Sequence, residues 1–309
     1  MDGLMVQRSN PLVQIQDGGR FGTRHLGVTQ GGAIDWISMY WANALLGNPF
    51  DSAVVEITFG GFSVQILRDG CLAIAGADLG ATLNGTPIDP GCSFLVRQGQ
   101  MLDFGLPIAG VRAYLAVPGG LDSQITLGSR STVSRDCLGG IDGTGRELRR
   151  GDCLKWTAHS PSPKNIPRSL LTIPSKNIPL DVVIGSQISD FGGQSLFDFF
   201  NQEWTVDARV DRMGARLLGP QLDYQGKGLI SEGVPLGAIQ VPPDGQPIVL
   251  LNDRQTIGGY PRLGALTPRS LARMAQMRAG ETLRFTPVLQ EAAQSDYQRL
   301  LSQFDIFGS

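Results

Sequence analysis

The chain has 309 residues, 41% of them hydrophobic and only 17% charged, with a formal net charge of −2. That balance excludes the basic face nucleic-acid binding needs, and no apolar run approaches the ~18 residues of a membrane span. Ordinary domains carry about 25% charged residues; the shortfall fits a neutral monomer surface or a permanent interface with a partner.

The N-terminal residues lack the basic segment, apolar core and small-residue cleavage site of a secretory signal, so a cytoplasmic protein is expected. Cys71, Cys92, Cys137 and Cys153 stand alone, and His25 and His159 are the only histidines. That spacing suits neither a zinc site nor a disulfide framework, so reduced thiols and no metal are expected.

In chain order, Asp35 is placed to cap a first helix with Ile37, Tyr40, Trp41, Ala44 and Leu45 on its apolar face, ended by Gly47 and Pro49. Short apolar runs follow between glycines, which take 41 of the 309 positions. Ala53–Thr58, Leu72–Ala75, Ala113–Val117, Val182–Ile184 and Ile248–Leu251 read as strands of a barrel or sandwich. From His159 to Pro179 the prolines at 161, 163, 167, 174 and 179 block helix and central strand alike.

Ser195–Trp204 is a second helical segment, and Thr267-Pro268 starts a third that should close at Gly280. Ala293, Tyr297, Leu300, Leu301 and Phe304 recur at helical spacing on a fourth, a docking face onto its own domain in preference to a partner site. The layout expected is a β domain over 1–158, a proline-rich linker over 159–179, a β domain over 180–290 and a C-terminal helix over 291–309.

Gly-x-x-Leu-x-aromatic occurs at Gly99–Phe104, Gly151–Trp156 and Gly280–Phe285. Each reads as a turn glycine followed by a strand whose Leu and aromatic share one face. Gly27–Asp35 is echoed by Gly233–Gln240, which leaves open either an internal duplication or a chance match among many glycines.

A phosphate loop, a Gly-x-Gly-x-x-Gly turn, a Gly-x-Ser-x-Gly elbow and a Met-Lys-Met biotin-attachment signature are all absent from the sequence. His25, in a polar loop, reads as a surface or structural residue in preference to a base. Four stretches remain that set reactive side chains between glycines: 16–22 running on to Asp35, 128–132, 211–217, and 253–260 preceded by Gln240. Glycines admit a ligand close to backbone amides, and Arg and Gln beside them suit a carboxylate or amide. Each alone also reads as a turn with a structural ion pair; together they read as loops meeting at a barrel mouth.

Val-Gln-Ile-Gln-Asp-Gly-Gly-Arg-Phe-Gly (13–22), Gly-Gly-Ala-Ile-Asp (31–35), Gly76-Ala77-Asp78, Gly128-Ser129-Arg130-Ser131-Thr132, Asp211-Arg212-Met213-Gly214 and Asp253–Tyr260 occur in consistent order. This set resembles the biotin-dependent carboxyltransferase family, also called allophanate hydrolase subunit 2, which includes the C-subunit of 5-oxoprolinase and the KipA-type proteins. The resemblance implies a mainly-β protein of two cyclophilin-like β-barrel domains with a few short helices. It also implies a complex that uses ATP to open 5-oxoproline, a small cyclic amide, to glutamate, with a KipI-type B-subunit plus an A-subunit hydrolase as partners. An ATP site is not evident in this chain.

Two other roles stay open within the family. One is the carboxyltransferase component of a biotin-dependent urea or amide carboxylase; the other is a KipA-type regulator that binds a kinase inhibitor. For an enzyme, Asp35 and Asp253 are the candidate catalytic carboxylates, with a helix cap as the alternative for Asp35. Arg130, Gln240, Arg254, Gln255 and Tyr260 are the candidate substrate-binding residues.

Overall fold

The computed structural model describes residues 3–156, 161–167, 170 and 179–308. Most of the linker expected over 159–179 lies outside them. The chain separates into two units, the first comprising Met1–Phe21, Gly31–Pro174 and Gln303–Ser309, the second Gly22–Gln30 and Ser175–Ser302. Gly22–Gln30 and Gln303–Ser309 thus depart from the contiguous layout that composition suggested.

The first unit holds two antiparallel sheets. One runs Cys153–Leu154, Leu4–Arg8, Phe62–Ile66, Met101–Phe104, Thr82–Leu83, Thr86–Pro87. The other runs Val13–Gln16, Val54–Thr58, Ala109–Ala116, Gly70–Asp78, Cys92–Val96. Side chains alternate along each strand, so Val13, Val55, Ile57 and Leu115 share one core with Phe62, Val64, Leu102 and Phe104. Glu56 and Tyr114, paired across the ladder, fall on the opposite face. The helix Trp36–Ala44 packs against Gly70–Asp78 and Ala109–Ala116, and Val54–Thr58, next to Ala109–Ala116 in the sheet, is buried at every position.

Gly76 permits that packing. Its φ is +95°, and a Cβ there would lie 2.5 Å from the Arg112 carbonyl oxygen and 3.2 Å from Ser38 Cβ. At the end of the helix Gln290–Gly308, Phe304 is fully buried among Trp36, Tyr40, Trp41 and Phe50, with ring centroids 6.2, 5.4, 4.6 and 5.7 Å away. Phe304, the last residue of the C-terminal apolar stripe, thus packs within the first unit and not with the domain that precedes it in sequence.

The second unit is built on one sheet of eight strands. Its order is Thr282–Leu283, Trp204–Val210, Gly214–Leu218, Ile248–Leu250, Ala238–Gln240, Arg262–Leu266, Leu180–Ile184, Phe285–Val288. The two edge strands are separated in sequence by Arg284 alone, so the sheet curls into a nearly closed barrel. A short ribbon pairs Glu232–Gly233 with Ile257–Gly258. With 35% strand against 18% helix, the protein is mainly β.

The three turn glycines, Gly99, Gly151 and Gly280, take φ of +89°, +92° and +84°. Leu102, Phe104, Leu154, Trp156, Leu283 and Phe285 behind them are all buried, as the motif requires. The helix opened by Thr267 stops at Met274 instead of Gly280. The reason is tertiary: the Gly280 amide donates to the Val206 carbonyl at 2.8 Å, which draws the chain into the sheet. Likewise the second helix is Gly193–Asn201, because Trp204 already begins a strand. Among the described residues, no helix is long and apolar enough to cross a membrane.

Candidate functional site

The four glycine-flanked stretches meet in pairs. In the first unit, the Asp17 carboxylate joins the first stretch to the second. Its Oδ1 accepts from the Gly19 amide at 2.8 Å, Ser129 Oγ at 2.6 Å and Ser131 Oγ at 2.5 Å, and its Oδ2 from the Arg130 amide at 2.6 Å. Arg20 is fully buried beneath, donating from Nε to the Thr126 carbonyl and from Nη2 to that of Ser131. Arg130, fixed through its amide, extends its guanidinium to 3.6 Å from Asp122.

Asp35 is the N-cap of the first helix. Its Oδ1 accepts from the Ser38 amide at 3.0 Å and its Oδ2 from Ser38 Oγ at 2.6 Å. The Asp35 amide donates to Tyr114 Oη at 2.9 Å, and that hydroxyl donates to Glu56 at 2.8 Å. Burial, with Glu56 and Asp35 close by, holds the Tyr114 phenol well above its ordinary pKa, so it remains a donor.

In the second unit, Arg212 ties the third stretch to the fourth. Its Nε and Nη2 donate to the Asp253 carboxylate at 3.0 and 3.2 Å, and its carbonyl accepts from the Asp253 amide. Asp253 is therefore held by a bidentate pair. Arg254, next in sequence, is buried without a carboxylate of its own. It donates from Nε to the Val234 carbonyl at 3.1 Å, from Nη1 to that of Leu251 at 3.3 Å, and from Nη2 to Gln30 Oε1 at 3.3 Å.

A second guanidinium shares the Val234 carbonyl. Arg24, on a single 3₁₀ turn Arg24–Leu26, donates from Nη2 to Val234 at 2.9 Å, Thr256 at 3.1 Å and Gln255 at 3.3 Å. Its Nη1 is buried with no protein acceptor. Loss of hydration, reinforced by the charge of Arg24 and partly offset by Asp253, lowers Arg254 to about 9.

Gln240 is almost fully buried and joins this cluster through Gln255, whose carbonyl accepts from Arg24. Its Oε1 accepts from Gln255 Nε2 at 3.4 Å, and its own Nε2 is buried without a partner. Gly258 flanks it: a Cβ there would lie 3.0 Å from Gln240 Nε2, 3.2 Å from the Val234 side chain and 3.5 Å from Gln255 Nε2. Tyr260, half exposed, follows in the same stretch.

The second unit therefore gathers Gln240, Asp253, Arg254 and Gln255, with Tyr260 further along the stretch, while Asp35 and Arg130 belong to the first. Arg24 and Gln30 are the participants that sequence reasoning did not single out. Gln30 lay inside a noted glycine run, whereas nothing about Arg24 distinguished it from a surface arginine. His25 beside it is exposed. Among the described residues, no group of three or more His, Cys, Asp or Glu side chains could hold a metal ion.

The chain belongs to the carboxyltransferase family: the family model described as carboxyltransferase domain, subdomain A and B, matches residues 26–287. It is 34% identical over 307 residues to the C-subunit of 5-oxoprolinase from Escherichia coli, covering 97% of each chain. To the Haemophilus influenzae protein of the same name it is 38% identical over 285 residues, covering 90% of this chain and 89% of that one. Its fold matches the crystal structure of Kluyveromyces lactis urea amidolyase with a TM-score of 0.93 at 28% identity, over 99% of this chain. The match takes in only 20% of that much longer protein.

Proposed function

We propose that this chain is one subunit of an ATP-dependent 5-oxoprolinase, in which it helps to open the lactam of 5-oxo-L-proline to L-glutamate. The observation that supports this is the end-to-end likeness, 97% of both chains, to a protein named as the C-subunit of 5-oxoprolinase. A subunit name implies a multi-subunit complex, and the partners proposed are a KipI-type protein and a hydrolase. The overall reaction consumes 5-oxoproline, ATP and water, one water for the lactam and one for ATP, and yields glutamate, ADP and phosphate.

Amide resonance makes an unstrained lactam a poor electrophile, so ATP hydrolysis supplies the driving force and the protein supplies positioning and charge stabilisation. In the second unit Gln240 and Gln255 offer carboxamides to the substrate amide, Arg254 offers a cation and Tyr260 a hydroxyl; in the first unit Arg130 is the candidate cation. Asp35 and Asp253 are the acids available, each working from an anchored position on Ser38 or Arg212. A second reading, a urea-type carboxyltransferase, draws on the TM-score of 0.93 with urea amidolyase.

The test is to purify the chain alone and with its partner proteins, then measure ATP-dependent glutamate release from 5-oxo-L-proline. Stoichiometric glutamate and ADP are expected from the complex and none from the single chain. Carboxylation of urea by a biotin-charged complex, without glutamate release, would favour the second reading. ATP-dependent glutamate release by the single chain would overturn the requirement for partners.

A further inference from the structure

We propose that Arg24, Gln240 and Arg254 form a subsite for a small oxyanion, a carboxylate or a phosphoryl group, bound by the second unit. Three observations converge on it. Two guanidiniums share the Val234 carbonyl, yet neither is paired with a carboxylate. The nearest acid in sequence, Asp253, is already engaged in a bidentate pair with Arg212. Finally, two buried N–H groups, Arg24 Nη1 and Gln240 Nε2, have no acceptor in the protein.

Two of these features, the guanidiniums without a carboxylate and the N–H groups without an acceptor, are unfavourable on their own. A buried donor without an acceptor costs stability, and so does a buried charge without a counter-charge. Both are relieved by one event, the arrival of an anion with oxygens that accept from Arg24 Nη1 and Gln240 Nε2 and a charge that offsets the two arginines. A neutral amide or an apolar group meets only part of this requirement. Gly258 keeps the approach to Gln240 Nε2 clear, since a Cβ there would stand 3.0 Å from it.

The choice between anions rests on the function proposed above. The carboxylate of 5-oxo-L-proline is attached to the carbon next to the lactam nitrogen. Holding it at the arginine pair would leave the ring amide to the neighbouring Gln255 and Tyr260. Phosphate has the same kind of oxygen acceptors, so the experiment must separate the two.

Binding is measured by calorimetry on the full chain with its partner proteins, without ATP, using 5-oxo-L-proline, 2-pyrrolidinone and inorganic phosphate as separate probes. 2-Pyrrolidinone is the same lactam without the carboxylate. We expect 5-oxo-L-proline to bind at least tenfold more tightly than 2-pyrrolidinone. Gln240→Glu should abolish that binding and raise the melting temperature, because it supplies the missing negative charge from within the protein. Gln240→Leu should weaken binding without the thermal gain. Binding of phosphate alone would keep the oxyanion site but remove 5-oxoproline as its ligand. Equal binding of both lactams, binding of neither anion, or a Gln240→Glu variant that loses melting temperature would overturn the proposal.

Discussion

Replacing Asp17 tests whether the two glycine-rich stretches of the first unit are held by a single carboxylate. Its oxygens accept four hydrogen bonds of 2.5 to 2.8 Å, from two serine hydroxyls and from the amides of Gly19 and Arg130. In Asp17→Ala the hydroxyls can turn to other acceptors, but the two amides cannot. At about 1–3 kcal/mol for each donor left without a partner, the loss is about 4 kcal/mol, a large part of a total of about 5–15 kcal/mol. Asp17→Asn keeps one acceptor oxygen and turns an N–H₂ toward the other donor, so it should lose about half as much. Urea unfolding followed by tryptophan fluorescence reads this directly, because Trp36, Trp41 and Trp156 all belong to the first unit. A loss below about 1 kcal/mol in Asp17→Ala, or an Asn variant as damaged as the Ala variant, would refute the reasoning.

Asp35→Asn should unfold at nearly the same urea concentration as the native chain, because one oxygen still caps Ser38, while Asp35→Ala should lose about 1–2 kcal/mol. If the Asn variant is folded but the assembled complex is inactive, the carboxylate itself takes part in the chemistry. Phe304→Ala should cost about 3–5 kcal/mol in equilibrium unfolding, since four aromatic side chains lose a fully buried partner. Arg254, lowered to about 9 in the folded chain from the higher value of a free guanidinium, gives a signed pH dependence. Between those values the unfolded chain binds more protons, so stability should rise with pH, a rise absent from Arg254→Gln. Above about pH 9 the affinity for an anion should fall by up to about tenfold per pH unit, with calorimetry at pH 8 as the reference and at pH 10 as the test.

Local chemistry was legible in the sequence wherever one residue type carries the message. Asp35 and Thr267 announce helix starts because a short acceptor side chain reaches the third amide of the helix, and both side chains do accept from that amide. The third helix ends early because a sheet carbonyl claims the Gly280 amide, a competition that no local signal records. The echo between Gly27–Asp35 and Gly233–Gln240 does not extend to structure. Asp35 caps a helix, whereas Gln240 ends a strand just before Val241-Pro242, where proline disfavours a helical predecessor.

Asp253 and Arg254 look alike in the sequence, as neighbours in one polar stretch. They differ because Arg212, 41 residues earlier, takes the acid and leaves the base without a counter-charge. Arg24 was illegible for a related reason. Its partners are the carbonyls of Val234, Gln255 and Thr256, and a backbone oxygen has no residue type to read.

Those same bonds of Arg24 bear on how the chain is made. They join residues 210, 231 and 232 positions apart, so Gly22–Gln30 leaves the ribosome long before its acceptors exist. Until then the segment has no structure to join, and contacts of such long sequence separation form slowly. A fragment beginning at Ser175 would lack both Arg24 and Gln30, leaving Arg254 short of the acceptor it has in the intact chain. Cutting the protein at its proline-rich middle would therefore damage the second unit, although the cut touches none of that unit's barrel strands.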